Sequence, residues 1–499
     1  MAARFSVSDP GLDGQDRQGE LRRFRDDLYE CWTARGDAAF ELVDALCCPI
    51  PVGGVAYLSL AATARRGHGA ALAAVAHGAV DEDRLRDVLT AHRPRDGFAD
   101  FAVDTSTWPR PDAACSAGRG YYHQRHPRAH TVRGKPVVAG WNFSWLSALS
   151  APADSWTAPL DVRRRTVGDN ANAVAVHQIN NLLQRLDTNA GASPDASPGA
   201  DGTLFAFDAG YDPVQLTVDL ADTPAQIVVR IRNDRVFFTR PPAPRTGTRR
   251  RPGRPKRHGT RFHCAHPASW TRACKTSPGP DGVIHTTHTV NATRSGGHGQ
   301  VHVHAWQHLH PEHQPYIRDP DGRPTIVECT VIRLQVQHLP HQPGRHPKPI
   351  WLWWAGPPGS TPNLDRIWRA YLHRFDLEHT YRFIKQTLGW TTPKLRTPHQ
   401  ADHWTWLIAL AYTQLRLARP LIADHHLPWQ PPQPTHRMTP GRVRAGFHHL
   451  AANIGTPTNQ PKPTRAGPGR PTGSHTTPAT RHPPHKTNDT NTPTKPTRR

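Results

Sequence analysis

Apolar residues change their spacing along the chain, and each change marks a predicted helix or strand. Residues 20–95 carry Ala and Leu at helical spacing and predict a helical region. The run Phe98–Asp104 alternates as a strand does, closes on a carboxylate and is followed by a break at Trp108-Pro109. Further strands are predicted around 137–149, 156–163, 204–207 and 227–231, with helices over 170–186 and 215–221.

The order of these elements indicates the fold class. Three strands, a helix, a strand, a helix and a strand form the order of an RNase H-like α/β domain. From about residue 235 to 355 the chain changes to β-prone runs separated by Pro, Gly and His, such as Ile350–Trp354. Helical spacing returns near Leu364. The sequence therefore predicts an RNase H-like core of the α/β class, interrupted by a β-rich insertion.

Composition and spacing divide the chain into five predicted parts. From Gly455 onward the chain contains no Leu, Ile, Val, Phe, Met, Trp or Tyr, and eight Lys or Arg stand against one Asp. Such a composition predicts a disordered basic tail. The five parts are an N-terminal helical region (1–95), the first part of the core (96–234), the β-rich insertion (235–355), the second part of the core (356–450) and the tail (451–499).

The charge of the chain narrows its partners. Lys and Arg number 62 against 40 Asp and Glu, which gives a net charge of +22. An excess of this size favours binding to polyanions, so nucleic acid is the expected partner and an anionic membrane surface the weaker alternative. No apolar run reaches membrane-spanning length, and no signal-peptide core is present near Met1. Seven Cys, with Cys47 and Cys48 adjacent, favour a reduced, intracellular protein.

Four polar residues form a stripe in the segment after Leu364. Tyr371, Arg374, Glu378 and Lys385 are separated by three, four and seven positions. At about 100° per residue these side chains fall within an arc of about 60° on one helix. One carboxylate between two cations and a phenol has the chemistry to bind a metal ion beside a phosphate chain. The plain alternative is a surface helix with an Arg–Glu pair, although the apolar segment Trp404–Tyr412 predicts a buried helix behind it.

Two aspartates share one setting and complete a candidate metal site. Asp104 and Asp208 each close an apolar, strand-like run, and ligands bind at that edge of open α/β sheets. Together with Glu378 they provide carboxylate oxygens for two Mg²⁺ ions, or Mn²⁺ in their place. Each Asp taken alone is also typical of a turn or a helix cap. The competing carboxylates, which fit this pattern less well, are Asp112, Asp212 and Asp376.

The pattern Y-x2-R-x3-E-x6-K resembles the signature of a group of bacterial insertion-sequence DDE transposases that carry a β-strand insertion. The segments Val103–Ala113, Ala139–Leu149 and Phe207–Asp212 resemble the first and second Asp regions of that family. The resemblance covers roughly residues 25–475. It implies a metal-binding catalytic triad and a set of phosphate-binding residues. The triad would be Asp104, Asp208 and Glu378, and the DNA-binding residues Tyr371, Arg374 and Lys385.

The same resemblance implies a reaction and its partners. The enzyme would cleave double-stranded DNA at transposon ends and transfer the freed strand to target DNA, as a homodimer in the synaptic complex. The N-terminal region 1–95 would recognise the DNA end, and the location would be cytoplasmic, at the nucleoid. Family relatives also stack an aromatic on a flipped base. Candidates are Trp351, Trp353 and Trp354, for which core packing is the alternative. Two other readings stay open: another RNase H-like DNA endonuclease, and a domesticated, non-catalytic DNA-binding protein.

Two basic stretches and one group of His and Cys complete the candidate sites. Arg249–Arg257 and Gly467–Pro471 both contain Gly-Arg-Pro, which suits either phosphate neutralisation or insertion into a narrow minor groove. The spacing of the His and Cys group matches no standard zinc pattern, so coincidence explains it better. Its members are His263, Cys264, His266 and Cys274.

Overall fold

The chain forms two compact units. The first unit comprises Met1–Gly97, Asp104–Ser197 and Asp376–Arg499, and the second comprises Phe98–Val103 and Pro198–Phe375. The computed structural model describes residues 14–95, 99–124, 126–132, 135–150, 155–192, 202–240, 257–270, 283–289, 300–312, 326–336, 347–463, 469, 471–475 and 478–485.

Four helices open the first unit. Leu21, Phe24 and Leu28 are fully buried along one face of the first of them, which is the face that three- and four-residue spacing predicts. The Asp81 side chain caps the fourth by accepting hydrogen bonds from the Asp83 and Arg84 amides. The elements are α1 (Gly14–Glu30), β1 (Trp32–Ala34), α2 (Gly36–Cys47), α3 (His68–His77), β2 (Ala79–Val80) and α4 (Glu82–Ala91).

The next elements are strands and one long helix. They are β3 (Asp100–Pro109), β4 (Gly120–His123), β5 (His130–Val132), β6 (Lys135–Leu149), β7 (Thr157–Arg165) and α5 (Ala171–Ala192). β6 pairs antiparallel with β4, β5 and β7, which confirms the strands predicted around 137–149 and 156–163. The predicted end of the first strand at Asp104 is wrong, because β3 continues to Pro109. Its later residues lie beside β6, where the Arg110 amide donates to the Ala139 carbonyl at 2.7 Å.

A mixed sheet dominates the second unit. The elements are β8 (Thr203–Phe207), α6 (Pro213–Asp219), β9 (Ala225–Ile231), β10 (Val236–Phe238), β11 (Arg261–His263), β12 (Val283–Thr289), β13 (Gln300–Pro311), β14 (Cys329–Val336), β15 (Ile350–Ala355) and α7 (Leu364–His373). β8 pairs in parallel with β9 and with the Asp100–Val103 part of β3. β9 then pairs antiparallel with β15, and β15 with β14. The strands of the predicted insertion therefore extend the sheet that contains β8 and β9.

Three helices complete the first unit: α8 (Asp376–Gln386), α9 (Pro398–Ala418) and α10 (Pro440–Ile454). α9 begins with a capping box between Thr397 and Gln400 and is buried nearly all round, which confirms the helix predicted at Trp404–Tyr412. Arg86 of α4 donates to Asp161 of β7 at 2.7 Å, and both side chains are buried. The N-terminal helices thus share one compact unit with β7. Within the described part of the chain, no helix combines the length and apolarity needed to cross a membrane.

The segment after α10 differs from the disordered tail expected from Gly455. Arg25 donates to the Gly455 carbonyl at 3.0 Å, and Arg66 donates to the Asn459 carbonyl at 2.9 Å. Further along, the His482 amide donates to the Ala114 carbonyl at 2.8 Å. Polar groups of the N-terminal helices and of the loop after β3 therefore hold parts of this segment. Apolar burial is not needed for such contacts, so composition did not reveal them.

Candidate catalytic residues

The predicted stripe does not lie on a single helix. α7 ends at His373, the Phe375 amide donates to the Leu372 carbonyl at 3.0 Å in a closing turn, and α8 begins at Asp376. The charges suit this break, because cations stabilise a helix C-terminus and carboxylates an N-terminus. Arg374 is the C-cap residue of α7 and His373 lies in its last turn, while Asp376 and Glu378 lie in the first turn of α8. The prediction of a single helix over 371–385 is therefore wrong. The residues of the predicted stripe fall into two groups, one in each unit.

The first unit contains Asp104, Glu378 and Lys385. The Asp104 side chain is 7 % exposed within β3, and its Oδ1 accepts the Thr105 amide at 2.7 Å. Glu378 is exposed in the first turn of α8, and Lys385 lies two turns later on the same helix. Burial lowers the pKa of Lys385 below its usual 10.5, while the Glu378 and Asp104 carboxylates oppose that change. Both carboxylates therefore act on the same ammonium group.

The second unit contains Asp208, Tyr371 and Arg374. The Tyr371 hydroxyphenyl group is buried, and the Arg374 guanidinium carbon lies 5.8 Å from its ring centroid. Burial raises the pKa of Tyr371 above 10.0, and the positive charges of Arg374 and Arg230 oppose the rise. The negative charge of Asp208 adds to it. Tyr371 thus lies in the combined field of one carboxylate and two guanidinium groups, and its hydroxyl keeps its proton at neutral pH.

Arg230 is the member of this group that the sequence reasoning missed. It is the exposed residue of the otherwise buried strand β9, where it is paired in register with Leu352. The available signal was one charged residue within the apolar run Ile227–Ile231. A charge in such a run marks a position at which the strand faces solvent or a ligand.

A tight turn fixes the Asp208 side chain. Asp208 follows Phe207, the last residue of β8, so the strand end predicted there is confirmed. Its Oδ1 accepts the Gly210 amide at 2.8 Å. A Cβ at Gly210 would lie 3.0 Å from that same Oδ1, so a larger residue would press on the carboxylate. A side chain at position 210 would therefore require the carboxylate to shift by a few tenths of an ångström.

Strand register relates the chain positions of the two aspartates. In the parallel pair of β3 and β8, Val103 is the partner of Phe207. Asp104 and Asp208 are the next residues along the chain after those two partners. The parallel pairing thus stops at Val103, although β3 itself continues.

The donor chemistry of the three predicted ligands suits a divalent cation. Carboxylate oxygens are the ligands that Mg²⁺ prefers, and the three predicted metal ligands are all carboxylates. Among the residues that the structure describes, no three His, Cys, Asp or Glu side chains are placed so that they could hold a metal ion. The proposed triad therefore rests on residue chemistry and chain position.

The competing carboxylates have structural partners. Asp212 caps α6 by accepting the Val214 and Gln215 amides. Asp112 pairs with Arg110 at 3.5 Å. Asp376 occupies the first turn of α8, where its charge suits the helix N-terminus.

The three tryptophans considered for base stacking are core residues. Trp353 is 1 % exposed and donates to the Thr217 hydroxyl at 3.0 Å. Trp351 and Trp354 are equally enclosed, at 4 % each. The packing alternative is therefore confirmed for all three. The basic stretches Arg249–Arg257 and Gly467–Pro471 lie almost wholly outside the described residues.

Comparison with known proteins identifies the family. The model of the family described as DDE superfamily endonuclease matches residues 27–299, which is more than half of the chain. The match includes Asp104 and Asp208 and ends before Glu378. No curated protein shows significant similarity to the chain. The chain belongs to the DDE superfamily endonuclease family.

Proposed function

We propose that the protein is a transposase, which cuts DNA at transposon ends and joins the freed 3′ ends to target DNA. The observation that carries the proposal is the shared influence of Asp104 and Glu378 on Lys385, in a chain of the DDE endonuclease family. Two carboxylates that act electrostatically on one ammonium combine the groups that metal and phosphate binding require. The signature Y-x2-R-x3-E-x6-K adds the transposase resemblance.

Each residue has a role in this proposal. Asp104, Asp208 and Glu378 would hold Mg²⁺, or Mn²⁺, which when bound stabilises the charge that develops on the scissile phosphate. Arg374 would bind phosphate oxygens through its planar guanidinium. The protonated Tyr371 hydroxyl would donate to the same phosphate chain. Lys385 would supply a point charge with three N–H donors.

The proposed partners follow from charge and reaction. A net charge of +22 favours double-stranded DNA, both at the transposon end and in the target. Strand transfer needs two ends in one complex, so we expect a homodimer there and a cytoplasmic location at the nucleoid. An endonuclease without strand transfer is the second candidate, because the matched family is described only as endonuclease.

The test uses duplex DNA that carries the sequences flanking the gene, incubated with the purified protein and Mg²⁺. We expect Asp104→Asn, Asp208→Asn and Glu378→Gln each to abolish cleavage while DNA binding remains. Asp376→Asn is the matched control on α8 and should cut normally. A variant of the triad that still cuts would remove that residue from the site.

The products separate the two candidate functions. Joining of cut ends to a second DNA molecule supports a transposase. Cleavage without joining, and without preference for the end sequence, supports the endonuclease. Binding without any Mg²⁺-dependent cut would contradict both and favour a non-catalytic DNA-binding protein.

A further inference from the structure

Lys385 lies against two aromatic rings of the first unit. Its Nζ is 5.9 Å from the centroid of the Tyr381 ring and 5.6 Å from that of Trp390. Both distances are inside the range of about 6 Å over which a ring face attracts a cation. Tyr381 precedes Lys385 by four positions on α8, so one turn of helix brings its ring to the lysine.

Buried neighbours fix both rings. Tyr381 is 5 % exposed and Trp390 is fully buried. The Trp145 ring meets both of them edge to face, at centroid distances of 6.1 Å and 5.3 Å. The Trp390 indole also donates to the Thr405 hydroxyl at 2.9 Å, and its amide donates to the Ile384 carbonyl at 2.8 Å. Because these contacts hold the rings, the rings can define the position of the ammonium.

We propose that Tyr381 and Trp390 are positioning residues, which hold the Lys385 ammonium in place for a DNA phosphate. The proposal rests on the proposed function and extends it to two residues outside the Y-x2-R-x3-E-x6-K signature. A ring face stabilises a cation without accepting its N–H groups as a carboxylate does. The N–H groups of the ammonium can therefore still donate to phosphate oxygens. The rings also offset part of the free-energy cost of burying the charge.

The alternative is that both rings only pack in the core and do not affect DNA binding through Lys385. A double-mutant cycle separates the two views, because it cancels any loss that is independent of Lys385. Tyr381 is the better position to change, since Trp390 also packs on Trp108 and Phe143 and its loss would disturb the fold. Tyr381→Phe keeps the ring and is the matched control for Tyr381→Leu.

The first measurement is the Kd for duplex DNA of Tyr381→Leu and Tyr381→Phe, each with Lys385 and with Lys385→Met. With Lys385 present, we expect Tyr381→Leu to weaken binding by about 2- to 30-fold, the range of a ring–cation contact, and Tyr381→Phe to bind as the parent does. In the Lys385→Met background, Tyr381→Leu should have no further effect. An equal loss in both backgrounds would overturn the proposal, as would no loss in either.

A second measurement needs no DNA. Reductive methylation with ¹³C-formaldehyde labels the lysines, and an aromatic ring shifts the signal of an amine that lies over its face. We expect Lys385, assigned through Lys385→Met, to show such a shift that Tyr381→Phe keeps and Tyr381→Leu reduces. A Lys385 signal at the ordinary position would refute the ring contact. If the shift and the DNA-binding cycle hold while the parent protein neither cuts nor joins DNA in the presence of Mg²⁺, the proposed function fails and the positioning role survives.

Discussion

A buried ion pair in the first unit gives the sharpest stability prediction, through Asp44→Asn. Arg25 of α1 donates to both oxygens of Asp44 of α2, at 2.5 Å and 3.0 Å. Gln414 of α9 donates to the same carboxylate at 2.8 Å and accepts from Arg25 at 3.0 Å. Arg25 is 2 % exposed, Asp44 3 % and Gln414 0 %. The substitution would leave the Arg25 cation buried without its counter-charge.

The expected loss follows from that burial. Breaking a buried ion pair by changing one partner costs about 3–5 kcal/mol, whereas an exposed pair contributes about 0–1 kcal/mol. The control is Glu30→Gln on α1, the helix of Arg25, because the Glu30 and Arg84 side chains are 61 % and 47 % exposed. We expect Asp44→Asn to lower the free energy of unfolding by about 3–5 kcal/mol and Glu30→Gln by less than about 1 kcal/mol.

The assay is urea unfolding followed by tryptophan fluorescence at neutral pH. The double variant Arg25→Met/Asp44→Leu should lose less than the two single changes added together, because it removes both charges. Equal losses for Asp44→Asn and Glu30→Gln would refute the reasoning. So would strict additivity of the double variant.

Two further predictions concern the same unit. Burial lowers the pKa of His403 from 6.5 to about 4, so the unfolded chain binds its proton first as pH falls. The parent should therefore exceed His403→Gln in stability by the largest margin above pH 6.5, and this margin should shrink as pH falls toward 4. Urea midpoints of the two proteins measured across this pH window test the prediction. A constant difference between the midpoints would contradict it. Truncation after Ile454 removes the bonds that Arg25 and Arg66 make to Gly455 and Asn459, and we expect a loss of about 1–3 kcal/mol. An unchanged urea midpoint in the truncated chain would contradict this expectation.

The spacing of apolar residues predicted a helix or strand correctly where the residues of that element carry the pattern themselves. The helix expected over 170–186 is present as α5, and the strand at 227–231 as β9. The predicted end of β3 is too early because the apolar alternation stops near Asp104. The backbone of the following residues still forms hydrogen bonds with β6. The length of a strand depends on its neighbour in the sheet, and that neighbour is distant along the chain: the bonded residues Arg110 and Ala139 are 29 positions apart.

The break between α7 and α8 could not be predicted from the sequence for a different reason. Angles around a helix axis have meaning only if the helix is continuous, and neither Gly nor Pro interrupts Tyr371–Lys385. The remaining signal was the order of His373 and Asp376, a basic residue followed by a carboxylate, which suits one helix end followed by a new start. That signal is weak, since the same order also occurs within continuous helices as an ion pair.

The structure shows which charged groups act on the candidate residues, and these groups differ between the two units. In the first unit, the carboxylates of Asp104 and Glu378 both raise the pKa of the Lys385 ammonium against the lowering effect of burial. In the second unit, Tyr371 has one carboxylate and two guanidinium groups around it. An excess of carboxylate suits a metal cation, and an excess of guanidinium suits a phosphate chain. Under the proposed function, Asp208 would bind a metal more tightly when DNA is bound, because phosphate would neutralise the guanidinium charges near Tyr371 that otherwise disfavour a cation.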